Sequence, residues 1–199
     1  MSILNTLIFD RTIDDVRRLQ ELKRKFMSTG LDDEELREYM NDRAGMKGAY
    51  NASDLNRVGE ALGYIAGRMR SAADDIAEIV RRHGHEQFSW AFFFGVEHNP
   101  SAARITPRNN WRIEDIPRLG QITRLLDDLR GIRQQLNMPA TAPPVPASLD
   151  GMNYATANDI ERLLFEMDIR LSAVEANITD VKGRFGAEFR YTGVTFCGE

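Results

Sequence analysis

Two stretches of this chain carry apolar residues at alternating intervals of three and four, and that spacing limits the fold more than any other feature. In the first, Leu55, Val58, Leu62, Ile65, Met69, Ala72, Ile76 and Ile79 follow at 3-4-3-4-3-4-3. In the second, Ile160, Leu164, Met167, Leu171, Val174, Ile178 and Val181 follow at 4-3-4-3-4-3. A strand alternates every second residue, so this period belongs to a helix with one apolar stripe. Sustained over about three heptads, it has the spacing of a coiled-coil seam. Leu55, Val58, Leu62, Ile65, Met69, Ile160, Leu164, Met167, Leu171, Val174, Ile178 and Val181 are therefore the candidate packing or oligomer interface.

The heptad letters carry a further expectation. Leu164, Leu171 and Ile178 take a positions, with Ile160, Met167, Val174 and Val181 at d. Leu55, Leu62 and Met69 take a, with Val58 and Ile65 at d. Leucine at a with β-branched residues at d disfavours two strands and favours three or four. Self-association into a trimer or larger oligomer satisfies this pattern, and so does a bundle whose stripes face one core inside a single chain.

The remaining segments give a mainly α fold, a helical bundle with coiled-coil-like helices and a short β-like C-terminal tail. "TIDDVRRLQELKRKF" reads as a helix with Thr12 as N-cap and Asp15 three positions on. A second, short helix is predicted over Leu31–Asp42, and the glycines of "RAGMKGA" break the pattern. Asn51 or Ser53 can cap the first striped helix, which is predicted to run to about Arg82. Gly59, Gly63 and Gly67 make one side of it small enough for another backbone to approach. A further helix is predicted from Pro117 to Leu136, striped by Ile122, Leu125, Leu129, Ile132 and Leu136. The helix starts share one pattern: polar, aliphatic, any residue, arginine, aliphatic. The longer match between Tyr50–Val58 and Tyr154–Leu163 suggests an old duplication.

This gives an N-terminal helical attachment region (1–48) and a central helical region (49–136) with an aromatic insert (84–110). A proline-rich linker (137–150) and a C-terminal coiled-coil helix with a β tip (151–199) complete the division. Within the insert, Ser89–Val96 reads as a short buried strand or loop. The linker holds four of the seven prolines and reads as a semi-rigid extended spacer. The tip, Glu188–Cys197, alternates like a strand.

Little in the sequence suggests chemistry. A net charge of −4 gives no overall pull toward nucleic acid. No apolar run is long enough to span a bilayer, so no membrane insertion is expected, and "MSILNTLIFDR" lacks the positive n-region of a signal peptide. The single cysteine, Cys197, leaves no internal disulfide framework, which fits synthesis in a reducing cytoplasm. It reads as a small hydrophobe on the strand. No phosphate-binding loop, dinucleotide fingerprint, metalloprotease motif or nucleophile elbow is present. Asp127-Asp128 reads as a solvated pair. His83-Gly84-His85, with Glu86 and His98 nearby, admits a metal-binding reading, with His83 and His85 as candidate ligands. A polar helix end with Gly84 as C′ residue explains the same residues. No catalytic residue and no cofactor is assigned, and the chain is not expected to be an enzyme.

"DRTIDDVRRLQELKRKF", "GMKGAYNASDLNRVGEALGYIAGRM", "NNWRIEDIPRLGQITRLLDDLRGIR", "LDGMNYATANDIERLLFEMDIRL" and "YTGVTFCGE" together resemble small structural virion proteins. These are encoded in the tail-module regions of phages and prophages of Firmicutes. The resemblance covers most of the chain, but the segment Phe88–Ile105 departs from it. It implies a tail-associated subunit, a tail fibre or baseplate component. Its partners would be itself and other phage tail proteins, with the host surface a further contact. The virion tail would be its final location, after synthesis in the host cytoplasm. Under it, the N-terminal region attaches to a neighbour and the spacer orients a C-terminal coil. A cytoplasmic partner-binding module of the same element, an assembly chaperone or regulator, is the alternative.

Overall fold

The structure, a computed structural model, describes residues 3–45, 47, 50–83, 88–100, 104–112, 114–115, 117–150 and 152–191. For residues 3, 41–45, 83 and 185–191 it describes the backbone alone. A 3-10 turn at Ile3–Thr6 opens the chain, followed by α1 (Ile13–Ser28) and α2 (Asp33–Gly45). Then come α3 (Ala52–His83), α4 (Trp90–Phe94), α5 (Leu119–Gln135) and α6 (Tyr154–Tyr191). No strand occurs among the described residues.

The helix starts follow from local chemistry. Thr12 and Asp15 form a reciprocal box, the Asp15 amide donating to Thr12 Oγ1 and the Thr12 amide to the Asp15 carboxylate. Asn51 and Asp54 do the same for α3: Asn51 Oδ1 accepts from the Ser53 amide at 2.8 Å, and Asp54 Oδ2 accepts from the Asn51 amide at 2.8 Å. Asn153 Oδ1 accepts from the Thr156 amide at the start of α6. Each bond satisfies a backbone donor that the first helical turn cannot.

The long helices α3, of 32 residues, and α6, of 38, form the centre. Their ion pairs climb both helices together. Arg57 meets Glu161, Arg68 meets Asp168 and Glu175, and Asp75 and Glu78 meet Lys182. The two helices therefore run parallel. In the heptad letters above, Asp54, Arg68 and Asp75 are g positions, while Glu161, Glu175 and Lys182 are e positions. Contact between g of one helix and e of the next heptad is the signature of a parallel coiled coil. This register sets Leu62 level with Leu164, Ile65 with Met167 and Met69 with Leu171. It also brings the start of the Tyr50–Val58 repeat beside that of its counterpart at Tyr154.

Both stripes are consumed in this seam. From Leu55 to Ile178 every stripe residue is at most 6% exposed, and Val181 is half-buried against the same core. The partners that leucine at a demands come from the same chain. Leu125, Leu126, Leu129, Ile132 and Leu136 from α5 and its end, with Trp90 and Phe94 of α4, complete the core.

Two expectations are corrected. The aromatic insert, read as a short buried strand or loop over Ser89–Val96, is instead a helical turn at Trp90–Phe94. Spacings of three and four turn Trp90, Phe93 and Phe94 inward and leave Phe92 58% exposed. Gly95, at φ 74°, ends this turn in the left-handed conformation that glycine adopts freely. The proline-rich segment is no spacer but a packed strap. Ala142 is buried, and Val145, Leu149 and Met152 pack on the core. Prolines lack an amide donor but keep their carbonyls, and α5 supplies the donors. Arg130 Nη2 donates to the Pro146 carbonyl at 2.6 Å, and Arg133 Nη2 to that of Pro139 at 3.2 Å. The C-terminal helix therefore shares one core with the central region. Of the expected β tip, α6 extends through Tyr191, and residues 192–199 lie outside the described ones.

The small face of α3 receives a backbone as expected. A Cβ on Gly59 would run into the Arg108 carbonyl, and one on Gly63 would touch the Pro107 ring at 3.8 Å. At Gly67 the nearest atom is the flexible Arg70 guanidinium at 3.6 Å. Gly59→Ala is expected to destabilise by about 1–3 kcal/mol through overpacking. Gly67→Ala should be neutral or stabilising by up to about 1 kcal/mol, because a helical glycine is replaced without a clash. Chemical denaturation of the two variants checks the contrast.

Candidate functional site

The seam has one level where its charges do not complement each other. Asp54 and Glu161 occupy facing g and e positions, and both side chains are 0% exposed. Two buried carboxylates at such range repel strongly. The fold resolves this with cations from elsewhere. Arg57, one turn along α3, donates through Nε to Glu161 Oε2 and through Nη2 to Glu161 Oε1, both at 2.9 Å, and also pairs with Asp54. Arg11, from the segment between the 3-10 turn and α1, reaches in from the other side. Its Nη2 donates to Asp54 Oδ1 at 2.9 Å and to Glu161 Oε1 at 2.6 Å. The Arg11 side chain is 1% exposed.

The backbone around Arg11 is held as firmly as its side chain. The Ile8 amide donates to Glu161 Oε2 at 2.5 Å. Asn158 pairs with the Arg11 backbone in both directions, Oδ1 accepting from its amide at 3.0 Å and Nδ2 donating to its carbonyl at 2.9 Å. Phe9 packs on Phe165 with ring centroids 5.5 Å apart. An N-terminal segment is thus clipped to the base of both long helices.

The cluster balances two cations against two anions, and every carboxylate oxygen has a donor. Asp54 Oδ2 takes the Asn51 amide, Oδ1 takes both arginines, and both Glu161 oxygens are occupied. Burial pulls the pKa of Arg57 down, but the hydrogen bond and charge of Glu161, with the charge of Asp54, more than reverse this and hold it above the usual range. Tyr50 lies beneath the Arg11 guanidinium, 5.8 Å from its ring centroid. The Tyr50 hydroxyl is buried without a hydrogen-bond partner. Burial, then the negative charges of Glu161 and Asp54, push it well above the ordinary phenol range. The chemistry offered here is mutual neutralisation, which fixes three segments in one geometry.

The residues singled out from sequence fall in different places. The twelve stripe positions meet in the seam and not at an open surface. Asp127 is exposed and pairs with Arg130, but Asp128 is half-buried, and burial raises its pKa despite the charge of Arg124. His98 stacks on Trp90 at 4.6 Å. The His83 side chain, His85 and Cys197 lie outside the described residues. Among the described residues no group of three His, Cys, Asp or Glu side chains is placed to hold a metal, and no helix is long and apolar enough to cross a membrane. Sequence reasoning missed the ion cluster. Asp54, Arg57 and Glu161 sat within the shared helix-start pattern, but nothing in "IFDRTID" marked Arg11 as their partner.

No protein-family model matches the chain, and no curated protein or solved structure shows significant similarity to it.

Arg11→Met is expected to cost about 3–5 kcal/mol, because it leaves two buried carboxylates with one cation. Glu161→Gln in that background should recover part of the loss, read as a shift in the urea midpoint. The raised Tyr50 pKa means that the phenol ionises in the unfolded chain before it does in the folded one. Its contribution to stability is present below the ordinary value of about 10 and is lost as pH rises beyond it. An alkaline absorbance titration should therefore show one tyrosine that ionises only as the helical circular dichroism collapses, and Tyr50→Phe should abolish that late phase.

Proposed function

We propose that the chain is a structural subunit of a phage or prophage virion, associated with the tail as a fibre or baseplate component, and that it works by assembly. The observation that carries this reading is the parallel α3–α6 pair. A 32-residue helix spans about 48 Å at 1.5 Å per residue. Here such a rod is locked in register along its length by ion pairs and fixed at its base by a buried cluster. A rod of that kind supports a role in holding partners at a set distance. The succession of segments that resembles tail-module proteins supplies the particle context.

Because the stripes are already filled within one chain, contacts with other copies and with other tail proteins are assigned to the outer surface. The same saturation favours a second reading, a helical partner-binding module of the same genetic element that assists assembly and is then released. Composition of purified particles separates the two. Quantitative mass spectrometry of gradient-purified particles, induced from a strain that encodes the chain, is expected to find it at a fixed ratio to other tail proteins. Abundance in the lysate with absence from the particles would overturn the structural reading and support the assembly module.

A further inference from the structure

Two arginines of α5 anchor the proline-rich strap, and the second has donors left over. Arg133 Nη2 donates to the carbonyls of Pro139 and Ala142, at 3.2 and 3.4 Å. Its Nη1 and its buried Nε donate to nothing among the described residues. Arg130 pairs with Asp127 at 2.6 Å, but Arg133 makes no ion pair among the described residues. A half-buried guanidinium held only by carbonyls keeps its full charge without a counter-ion.

This cation lines an open hollow of about 490 Å³ between the end of α5, the strap and the residues after α4. The floor is apolar, formed by Val96, Met138 and Val145, which pack on the core. The polar lining consists of donors that include Arg133 and the side chains of Gln134 and Asn137. Both of those amides are exposed and make no hydrogen bond among the described residues. Asn137 leaves α5 in the left-handed conformation, at φ 48°, which asparagine tolerates better than most side chains. None of the lining residues is Asp or Glu.

The lining selects its occupant. An apolar floor takes an apolar body. A wall of donors around a cation without a counter-ion takes an anion, and guanidinium and amide N–H groups suit carboxylate oxygens. Inorganic phosphate would leave the floor uncovered, and an uncharged apolar molecule would leave Arg133 uncompensated.

We propose that this hollow is a binding site for a carboxylate carried on an apolar group. The carboxylate accepts from Arg133 and from the amides of Gln134 and Asn137, and the apolar group covers Val96, Met138 and Val145. A free organic acid and the C-terminal residue of another protein share this chemistry. The proposal goes beyond the particle reading and is tested apart from it.

Phenylacetate titrated into the full-length protein is expected to bind with a Kd of about 1 mM and to move the side-chain amide signals of Gln134 and Asn137 in nitrogen–proton NMR spectra. Phenylacetamide keeps the shape without the charge, and acetate keeps the charge without the ring. Each should bind about tenfold more weakly, or less well still. Arg133→Gln should weaken phenylacetate about tenfold or more, and Arg133→Lys, which keeps the charge, should retain part of the affinity. Asn137→Gly keeps the left-handed turn, removes only the amide and should weaken binding about threefold. Circular dichroism verifies that each variant is folded. If Arg133→Gln unfolds, the three ligands on the unaltered protein still decide. N-acetylphenylalanine separates the sources: binding tighter than that of phenylacetate assigns a chain end, and weaker binding a free acid. No saturable shift up to about 20 mM phenylacetate, equal affinity for phenylacetamide, or unchanged binding in folded Arg133→Gln would overturn the proposal. None of these results would alter the particle composition test, which reads incorporation and not ligand binding.

Discussion

The parallel alignment of α3 and α6 is the constraint that the rest of the fold serves. Two antiparallel helices can be joined by a short turn, but two parallel helices in one chain need a return path as long as the rod itself. Residues between His83 and Tyr154 provide it, and their character follows from that task. The aromatic turn at Trp90–Phe94 caps one end of the core with large side chains. α5 lays leucines and isoleucine along the seam, and the proline-rich strap runs on to the start of α6 without an amide ladder of its own. Arg130 and Arg133 satisfy its carbonyls. Gly59 leaves room for the backbone at Arg108 to cross α3 closely.

The same alignment creates a charge problem at the base and its solution. Further along the seam the facing g and e side chains attract, as Arg68 does Glu175 and Asp75 does Lys182. These pairs are partly exposed, so each contributes modestly, on the order of 0.2–1 kcal/mol. At the first level two acids face each other fully buried, and here electrostatics decides the structure. Arg57 alone cannot balance both. Arg11 completes the neutralisation and, in doing so, ties the N-terminal segment to the helix pair. The hairpin of α1 and α2 that follows Arg11 is thereby aimed from a fixed point, while its separate core, Leu22 and Tyr39, leaves it distinct from the body.

Much of this was legible in the sequence, for physical reasons that also explain what was not. A stripe is a local pattern, so Leu55–Ile79 and Ile160–Val181 showed their helices plainly. Caps are local too, and Thr12 with Asp15 and Asn51 before α3 behave as read. What a stripe meets is a non-local matter. Helix period is the same whether the partner is another chain or a helix a hundred residues away. The charges held more information than the apolar positions: Arg68 and Glu175, Asp75 and Lys182 fit a parallel pairing at g and e, and the Tyr50 and Tyr154 repeats fall side by side in it. The strap was misread because proline composition looks alike in an exposed linker and a packed one, and the arginines that hold it lie in a preceding helix. Arg11 gave no signal because a lone arginine next to a helix cap is ordinary until its partners are known.

Distance measurement between spin labels tests the parallel in-chain seam most directly. With Cys197 replaced by serine, one protein would carry labels at Glu60 and Arg162, which are level in this register, and another at Glu60 and Asp180, about 27 Å farther along α6 by helical rise. The first pair is expected to be close and the second clearly longer, and both distances should survive dilution with unlabelled protein. A reversed order would contradict the parallel alignment. A short distance that vanishes on dilution would show the seam to lie between chains.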